Sequence, residues 1–301
     1  MIRRPEVALT VTPRAGATSF NGSGRMSDRA VAFARHFAAR AVAEGLVPAV
    51  PAAHIHVRRV PRPHIGLGSG TQLAMAVARA LANLIDHEDL GVSELADIVG
   101  RGKRSAVGAH GSIAGGLIVD GGKTETSQLS PMITRLIFPP SWRIVLIRPH
   151  QLHGLCGPRE RQAFADLPPI SQTLTARMCH LVLLGLLPAV VERDLDRFGE
   201  ALYELQRLAG ECFKSAQGGI YADPSLDQII RYVRGEGVRG VGQSSWGPTL
   251  YAMVEDHSQA QDLATRIQTR FAMDPDELLI TQGDNQGSCV TAASDASRPA
   301  S

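Results

Sequence analysis

Hydrophobic and polar positions alternate through Glu6-Val7-Ala8-Leu9-Thr10-Val11-Thr12, and again through His54-Ile55-His56-Val57-Arg58-Arg59-Val60. A period of two marks half-buried strands. Between them, Asp28 to Glu44 reads as a helix and the polar, Gly-containing stretch from Thr18 to Ser27 as a loop. From Ser69 to Ile85 the period changes. Leu73, Val77, Leu81 and Leu84 recur at three- and four-residue steps with alanine between them, which predicts a long helix buried on one face. A Gly-rich stretch then leads to a strand at Gly116-Leu117-Ile118-Val119-Asp120, and Pro139-Pro140 marks a boundary.

The second half has its own rhythm. Trp142 to Ile147 is a buried-strand pattern, and residues 159–215 read as mostly helical, with Leu195, Phe198, Leu202, Leu205, Ala209 and Phe213 on one stripe. A short helix over Ser225–Val233 and strands at Gly237–Gly242 and Thr249–Val254 follow. A helix carries Leu263, Ile267 and Phe271, and the last strand covers Glu277–Thr281. With consecutive helices merged, the order is β-α-β-β-α-β, the ferredoxin-like arrangement. The expected class is therefore α+β in two lobes, 1–140 and 141–291, followed by a small polar tail, 292–301, that reads as disordered.

Composition narrows the class of partner. A chain of 301 residues with 44% apolar and 20% charged content suits a two-lobed globular protein. A net charge of +2 provides no global field for nucleic acid or an anionic membrane, so neither is expected as a partner. Met1 opens no secretory signal, and the longest apolar run, Leu181 to Val191, is interrupted by Gly185 and Pro188, so no membrane span is expected. Cys156, Cys179, Cys212 and Cys289 form no Cys-x-x-Cys pair. Cys179 and Cys212 fall in helical patterns as core thiols, and a reducing cytoplasm is the expected setting.

Candidate chemistry concentrates between the second strand and the long helix, at Pro61-Arg62-Pro63-His64-Ile65-Gly66-Leu67-Gly68-Ser69-Gly70-Thr71-Gln72. A glycine turn feeding a helix aims several N–H groups at one spot, where the helix dipole adds positive charge, and so forms a seat for phosphate or pyrophosphate. A plain helix start would use the same residues, with Gly66 and Gly68 making the turn and Ser69 or Thr71 capping. No lysine follows, as an NTPase P-loop requires, and glycines at 66, 68 and 70 do not match Gly-x-Gly-x-x-Gly.

A second cluster, Arg101, Lys103 and Arg104 among Gly100, Gly102 and Ser105, suits a phosphate ligand or a solvated basic loop. His54 and His56 share a strand face, as metal ligands or as surface residues. His150 and His153 lie in a loop able to reach a cleft, and Asp120 ends a strand as a metal ligand or a turn residue.

The segment from Pro61 to Thr71 resembles the phosphate-loop signature of the GHMP superfamily of small-molecule kinases, Pro-x-x-x-Gly-Leu-Gly-Ser-Ser/Gly, with Gly70 in place of the commoner serine. Val238-Arg239-Gly240-Val241-Gly242-Gln243-Ser244-Ser245-Trp246-Gly247-Pro248-Thr249 resembles its C-terminal Gly-rich motif. Three stretches are similar to the β-ribofuranosylaminobenzene 5′-phosphate synthase family: Gly100 to Gly111, Gly115 to Gly122, and Gly242 to Thr249. The resemblance implies a lobe like ribosomal S5 domain 2 followed by a ferredoxin-like lobe. It also implies condensation of phosphoribosyl pyrophosphate with 4-aminobenzoate or 4-hydroxybenzoate, releasing CO₂ and pyrophosphate with Mg²⁺ as the cofactor.

Family members begin with a strand carrying a Pro-Ser-Arg-Leu-His-like motif. Met1-Ile2-Arg3-Arg4-Pro5 does not match it, so the first lobe is expected to lack that strand. In the superfamily's kinases an aspartate activates the acceptor hydroxyl. With their motif laid on Gly102 to Ala109, Ser105 matches and Gly108 takes the aspartate's place, which favours the synthase over a kinase.

The roles implied follow from that match. Gly66, Leu67, Gly68, Ser69, Gly70 and Thr71 would hold pyrophosphate, with Ser69 or Thr71 touching Mg²⁺ and Ser69 also counted as catalytic. Arg101, Lys103, Arg104 and Ser105 would hold phosphate groups. His110 would orient or protonate, because imidazole exchanges protons near neutrality. Gly242, Ser244, Ser245 and Trp246 would line the junction of the lobes, with Trp246 walling a slot for the aromatic ring or packing between the lobes. The oligomeric state stays open, a homodimer included.

Overall fold

A computed structural model describes residues 1–16, 19–124, 127–152, 154, 162–245 and 247–291. The first sheet has the order β1 (Ala8–Pro13), β3 (Ala53–Arg59), β2 (Asn21–Gly24). β1 runs antiparallel to β3, pairing Thr10 with His56, and β2 runs parallel to it, pairing Ser23 with His56. The strand at β2 replaces part of the loop expected from Thr18 to Ser27. Its Asn-Gly-Ser-Gly sequence has no strand propensity, and its partner β3 imposes the extended form.

Alternate residues of β3, Ala53, Ile55 and Val57, face the core, where helices α1 (Ser27–Ala43) and α2 (Ser69–Leu84) cover the sheet. Phe37, Ile55, Leu73 and Leu81 are fully buried there. At roughly 1.5–3 kcal/mol for each large side chain removed from water, this face is the main force fixing the helices.

Helices α3 (Val92–Ile98) and α4 (Val107–Ala114) close the first cluster. The hairpin sheet β4 (Leu117–Asp120) and β5 (Met132–Leu136) leads to β6 (Arg143–Ile147). Next come α5 (Gln172–His180), π-helical turns over Leu181–Leu186, and α6 (Leu187–Glu192).

The apolar run that proline was expected to break is therefore helical from Gln172 to Glu192. It is long and apolar enough to cross a membrane by length and composition, with a mean hydropathy of 1.8. Pro188 follows closely on the π-helical turns, whose altered hydrogen-bond pattern lets the helix run on through it. Cys179, expected in the core, is exposed on α5.

The chain continues through α7 (Leu195–Gln217), α8 (Pro224–Gly235), β7 (Val241–Gln243), β8 (Leu250–Val254), α9 (His257–Phe271) and β9 (Leu278–Thr281). The second sheet is antiparallel in the order β7-β8-β6-β9, which is the ferredoxin-like order read from its other edge. Leu263 and Ile267 of α9 are fully buried on it, as their spacing predicts.

A third apolar cluster joins the two halves. Phe138, Trp142 and Phe198 meet edge to face or tilted, with centroids 5.3–6.0 Å apart, and Leu67 and Leu136 pack beside them. Leu67 thus pins the glycine turn to the second half of the molecule.

Candidate active site

The glycine turn is held from both ends. Gly68 takes a left-handed conformation (φ 63°) as the N-cap of α2, and Thr71 and Gln72 both donate to its carbonyl at 3.0 Å. Gly66 is also left-handed (φ 87°), and a side chain there would overlap the Ser244 carbonyl oxygen. Ser244 Oγ donates to the Gly66 carbonyl at 2.9 Å, and a side chain at Gly247 would run into the Ile65–Gly66 peptide. The two Gly-rich segments, 178 residues apart for Ser244 and Gly66, therefore form one folded loop pair. Among the described residues, the N–H groups of Gly66, Leu67, Gly68, Ser69 and Gly70 meet no acceptor. Unpaired N–H groups at the start of a helix are the elements of an anion seat.

Around this turn stand three further groups. The N-terminus of α4 packs on that of α2: Gln72 Nε2 donates to the Gly108 carbonyl at 2.9 Å, and a Cβ at Gly108 would lie 3.2 Å from Thr71 Cγ2. Asp120 fixes the preceding loop by accepting from Ser105 Oγ at 3.0 Å and from the Ala106 N–H at 2.9 Å. Ser105 is thereby committed to Asp120, and Asp120 serves as an anchor for α4. Arg29, on α1, reaches the turn as well: its Nη2 is 2.9 Å from where a Cβ of Gly70 would stand. The guanidinium of Arg101 lies 4.8 Å from the ring centroid of Phe33, with Arg29 at 5.9 Å from the same ring.

The remaining predicted residues divide. Lys103 is exposed, and Arg104 stacks on Phe164 at 3.8 Å. The hydroxyl of Ser69 is buried and donates toward the Arg62 carbonyl at 3.4 Å, so it faces protein. His110 is buried on α4 and its Nε2 donates to the Ser130 carbonyl at 2.9 Å; a carbonyl only accepts, so Nε2 holds a proton. Gly242 lies buried in β7, where the Tyr251 hydroxyl would be 2.6 Å from an added Cβ, so its glycine serves packing and not a ligand surface. Ser245 is exposed in a left-handed turn, and its carbonyl accepts from Gln243 Nε2 at 3.0 Å. Trp246, His153, Cys156 and the 292–301 tail lie outside the described residues.

The other histidines serve elsewhere. Ser23 Oγ lies 2.9 Å from His54 Nε2 and 2.8 Å from His56 Nδ1, and Asn21 Oδ1 lies 2.6 Å from His54 Nδ1, a surface polar cluster on the first sheet. Among the described residues, the three-member group with metal-type donors is His150, Asp274 and Asp276, mostly exposed. A cavity of about 330 Å³ lined by Leu195, Arg239, Met253, Leu263 and Arg266, among others, contains none of the predicted site residues.

Arg29 was missed by sequence reasoning. It reads there as one charged position on a helix, 41 residues before Gly70, and only packing brings the two together. Asp120 was seen as a metal or turn residue, and its hydrogen bonds to Ser105 and Ala106 show a third role.

Comparison with known proteins agrees with this architecture. The GHMP kinases N terminal domain matches residues 30–116 and the GHMP kinases C terminal domain matches residues 186–272. Homoserine kinase from Cytophaga hutchinsonii superposes with a TM-score of 0.66 at 15% identity, covering 95% of this chain and 88% of its own. Mevalonate diphosphate decarboxylase from Staphylococcus aureus gives 0.62 at 17% identity, covering 93% and 84%. These likenesses define a GHMP-type fold.

Closer relatives narrow the identification. A β-ribofuranosylphenol 5′-phosphate synthase from Methanothermobacter thermautotrophicus is 32% identical over 246 residues, 78% of this chain and 72% of the relative. Its namesake from Archaeoglobus fulgidus is 36% identical over 240 residues, 74% of this chain and 72% of the relative. The chain belongs to the β-ribofuranosylphenol 5′-phosphate synthase family of the GHMP superfamily.

Proposed function

We propose that the chain joins C1 of the ribose in phosphoribosyl pyrophosphate to the ring carbon of a para-substituted benzoate, releasing CO₂ and pyrophosphate in tetrahydromethanopterin biosynthesis. The relatives are named for a phenol product, which favours 4-hydroxybenzoate over 4-aminobenzoate as the acceptor. The observation that supports this reading is the row of unpaired N–H groups at the glycine turn, beside a position where the motif of the superfamily's kinases would place an aspartate. Laid on that motif, Gly108 takes the aspartate's place, and in the structure it packs against Thr71.

The electron accounting suits such a site. The anomeric C–O bond breaks and its electron pair leaves on a pyrophosphate oxygen. The ring carbon bearing the carboxylate supplies the pair for the new C–C bond, and the pair of the C–CO₂ bond returns to the ring as CO₂ departs. No hydroxyl is deprotonated, so no general base is needed. The N–H groups of Gly66 to Gly70 stabilise the charge that develops on the leaving group.

Mg²⁺, when bound, neutralises charge on the diphosphate. The loop residues carry no carboxylate, and Ser69 Oγ faces Arg62. Thr71 Oγ and the substrate's own phosphate oxygens would hold the ion, a donor set of the kind Mg²⁺ accepts with water. Incubation with phosphoribosyl pyrophosphate and 4-hydroxybenzoate should yield an acid-stable C-riboside phosphate by mass spectrometry. Its absence with both benzoates overturns the reading.

A further inference from the structure

Arg29 and Arg101 share the Phe33 ring, and neither meets a carboxylate among the described residues. Phe33 stands one turn beyond Arg29 on α1, so the ring and the first guanidinium are fixed by the same helix. Arg101 follows α3, and its Nε is buried with no hydrogen-bond partner. Burial, and then the charge of Arg29, lower the Arg101 ionisation. Two like charges held together and partly out of water are unfavourable unless an anion completes them.

The pair adjoins the glycine turn at one residue. The space a Gly70 side chain would fill is taken by Arg29 Nη2. Glycine at 70 leaves the tip of the Arg29 side chain unobstructed beside the turn. The cluster then comprises the unpaired N–H groups of the α2 start and two guanidinium groups, enough positive charge for a multiply charged diphosphate and more than one carboxylate requires.

We propose that Arg29 and Arg101, braced on Phe33, clamp the leaving diphosphate, with Gly70 leaving Arg29 its place beside the turn. The inference rests on the reading above for the identity of the anion. As the anomeric bond breaks, the diphosphate gains negative charge, so the clamp acts most strongly on the transition state.

Inorganic pyrophosphate binding to the whole chain, measured by calorimetry without turnover, is the test, with ribose 5-phosphate as the second probe. Arg29→Gln and Arg101→Gln should each weaken pyrophosphate binding by about ten-fold or more, the scale of a lost charge-assisted hydrogen bond, and Gly70→Ser, which displaces the Arg29 tip, by about three-fold. Ribose 5-phosphate binding should stay within about two-fold, and Arg29→Lys should recover part of the loss. Gly70→Ser changes no charge and tests the clamp if either arginine variant unfolds. Unchanged pyrophosphate affinity in Arg29→Gln and Gly70→Ser, or a loss confined to ribose 5-phosphate, overturns the assignment. Neither readout needs catalysis, so a failed synthase assay and a failed clamp are separate results.

Discussion

At the scale of single residues, the site depends on glycines that two backbones press against. Gly66 is left-handed and its missing side chain's place is filled by the Ser244 carbonyl. Gly66→Ala combines a strained φ with a backbone clash, and a loss of about 3 kcal/mol in unfolding free energy is expected from denaturant titration, with substrate binding impaired. Ser244→Ala removes only the hydrogen bond to the Gly66 carbonyl. It should cost about 1 kcal/mol and raise the apparent KM for phosphoribosyl pyrophosphate more than it lowers kcat. The glycine turn ahead of α2 was legible because its spacing is local. The clash that makes Gly66 necessary was not, because Ser244 lies far along the chain. Arg29 was invisible for the same reason, while Ser69 was readable as a hydroxyl but not as one turned to Arg62.

At the scale of elements, helix starts follow their capping residues. Asp194, Asp223 and Asp256 each accept a backbone N–H at the head of α7, α8 and α9. Asp223 also accepts from the Ser225 hydroxyl at 2.6 Å, and these hydrogen bonds hold its carboxyl below the usual range. Its folded pKa is thus below its unfolded one. The contribution is complete above the ordinary carboxylate range and is lost as pH falls through the folded value. Asp223→Ala should lower stability by about 1 kcal/mol at neutral pH, and thermal midpoints of variant and parent should converge as the pH falls below the usual carboxylate range.

Most elements were readable from period, and the failures have physical causes. β2 has no apolar residue to announce it, and its Gly24 is required because a side chain would overlap the Val57 carbonyl of the neighbouring strand. The helix continues through Pro188, which follows closely on the π-helical turns over Leu181–Leu186, where a sequence pattern alone reads a break.

At the scale of the whole molecule, the ferredoxin-like order of the second half follows from the order of its elements, and the structure reproduces it. What the pattern could not show is how the halves meet. That junction is the Phe138, Trp142 and Phe198 cluster with Leu67 set into it. The aromatic core of one half thereby positions the anion seat of the other. The glycine turn stands beside Gly108, where the kinases' motif has an aspartate, and the proposed function assigns the turn to pyrophosphate departure and not to phosphoryl transfer. The direct test uses benzoates labelled at the carboxyl carbon, supplied with phosphoribosyl pyrophosphate or with ATP. Labelled CO₂ released one-for-one with pyrophosphate, only when phosphoribosyl pyrophosphate is present, is the predicted result. Formation of ADP with the carboxyl label retained would contradict it.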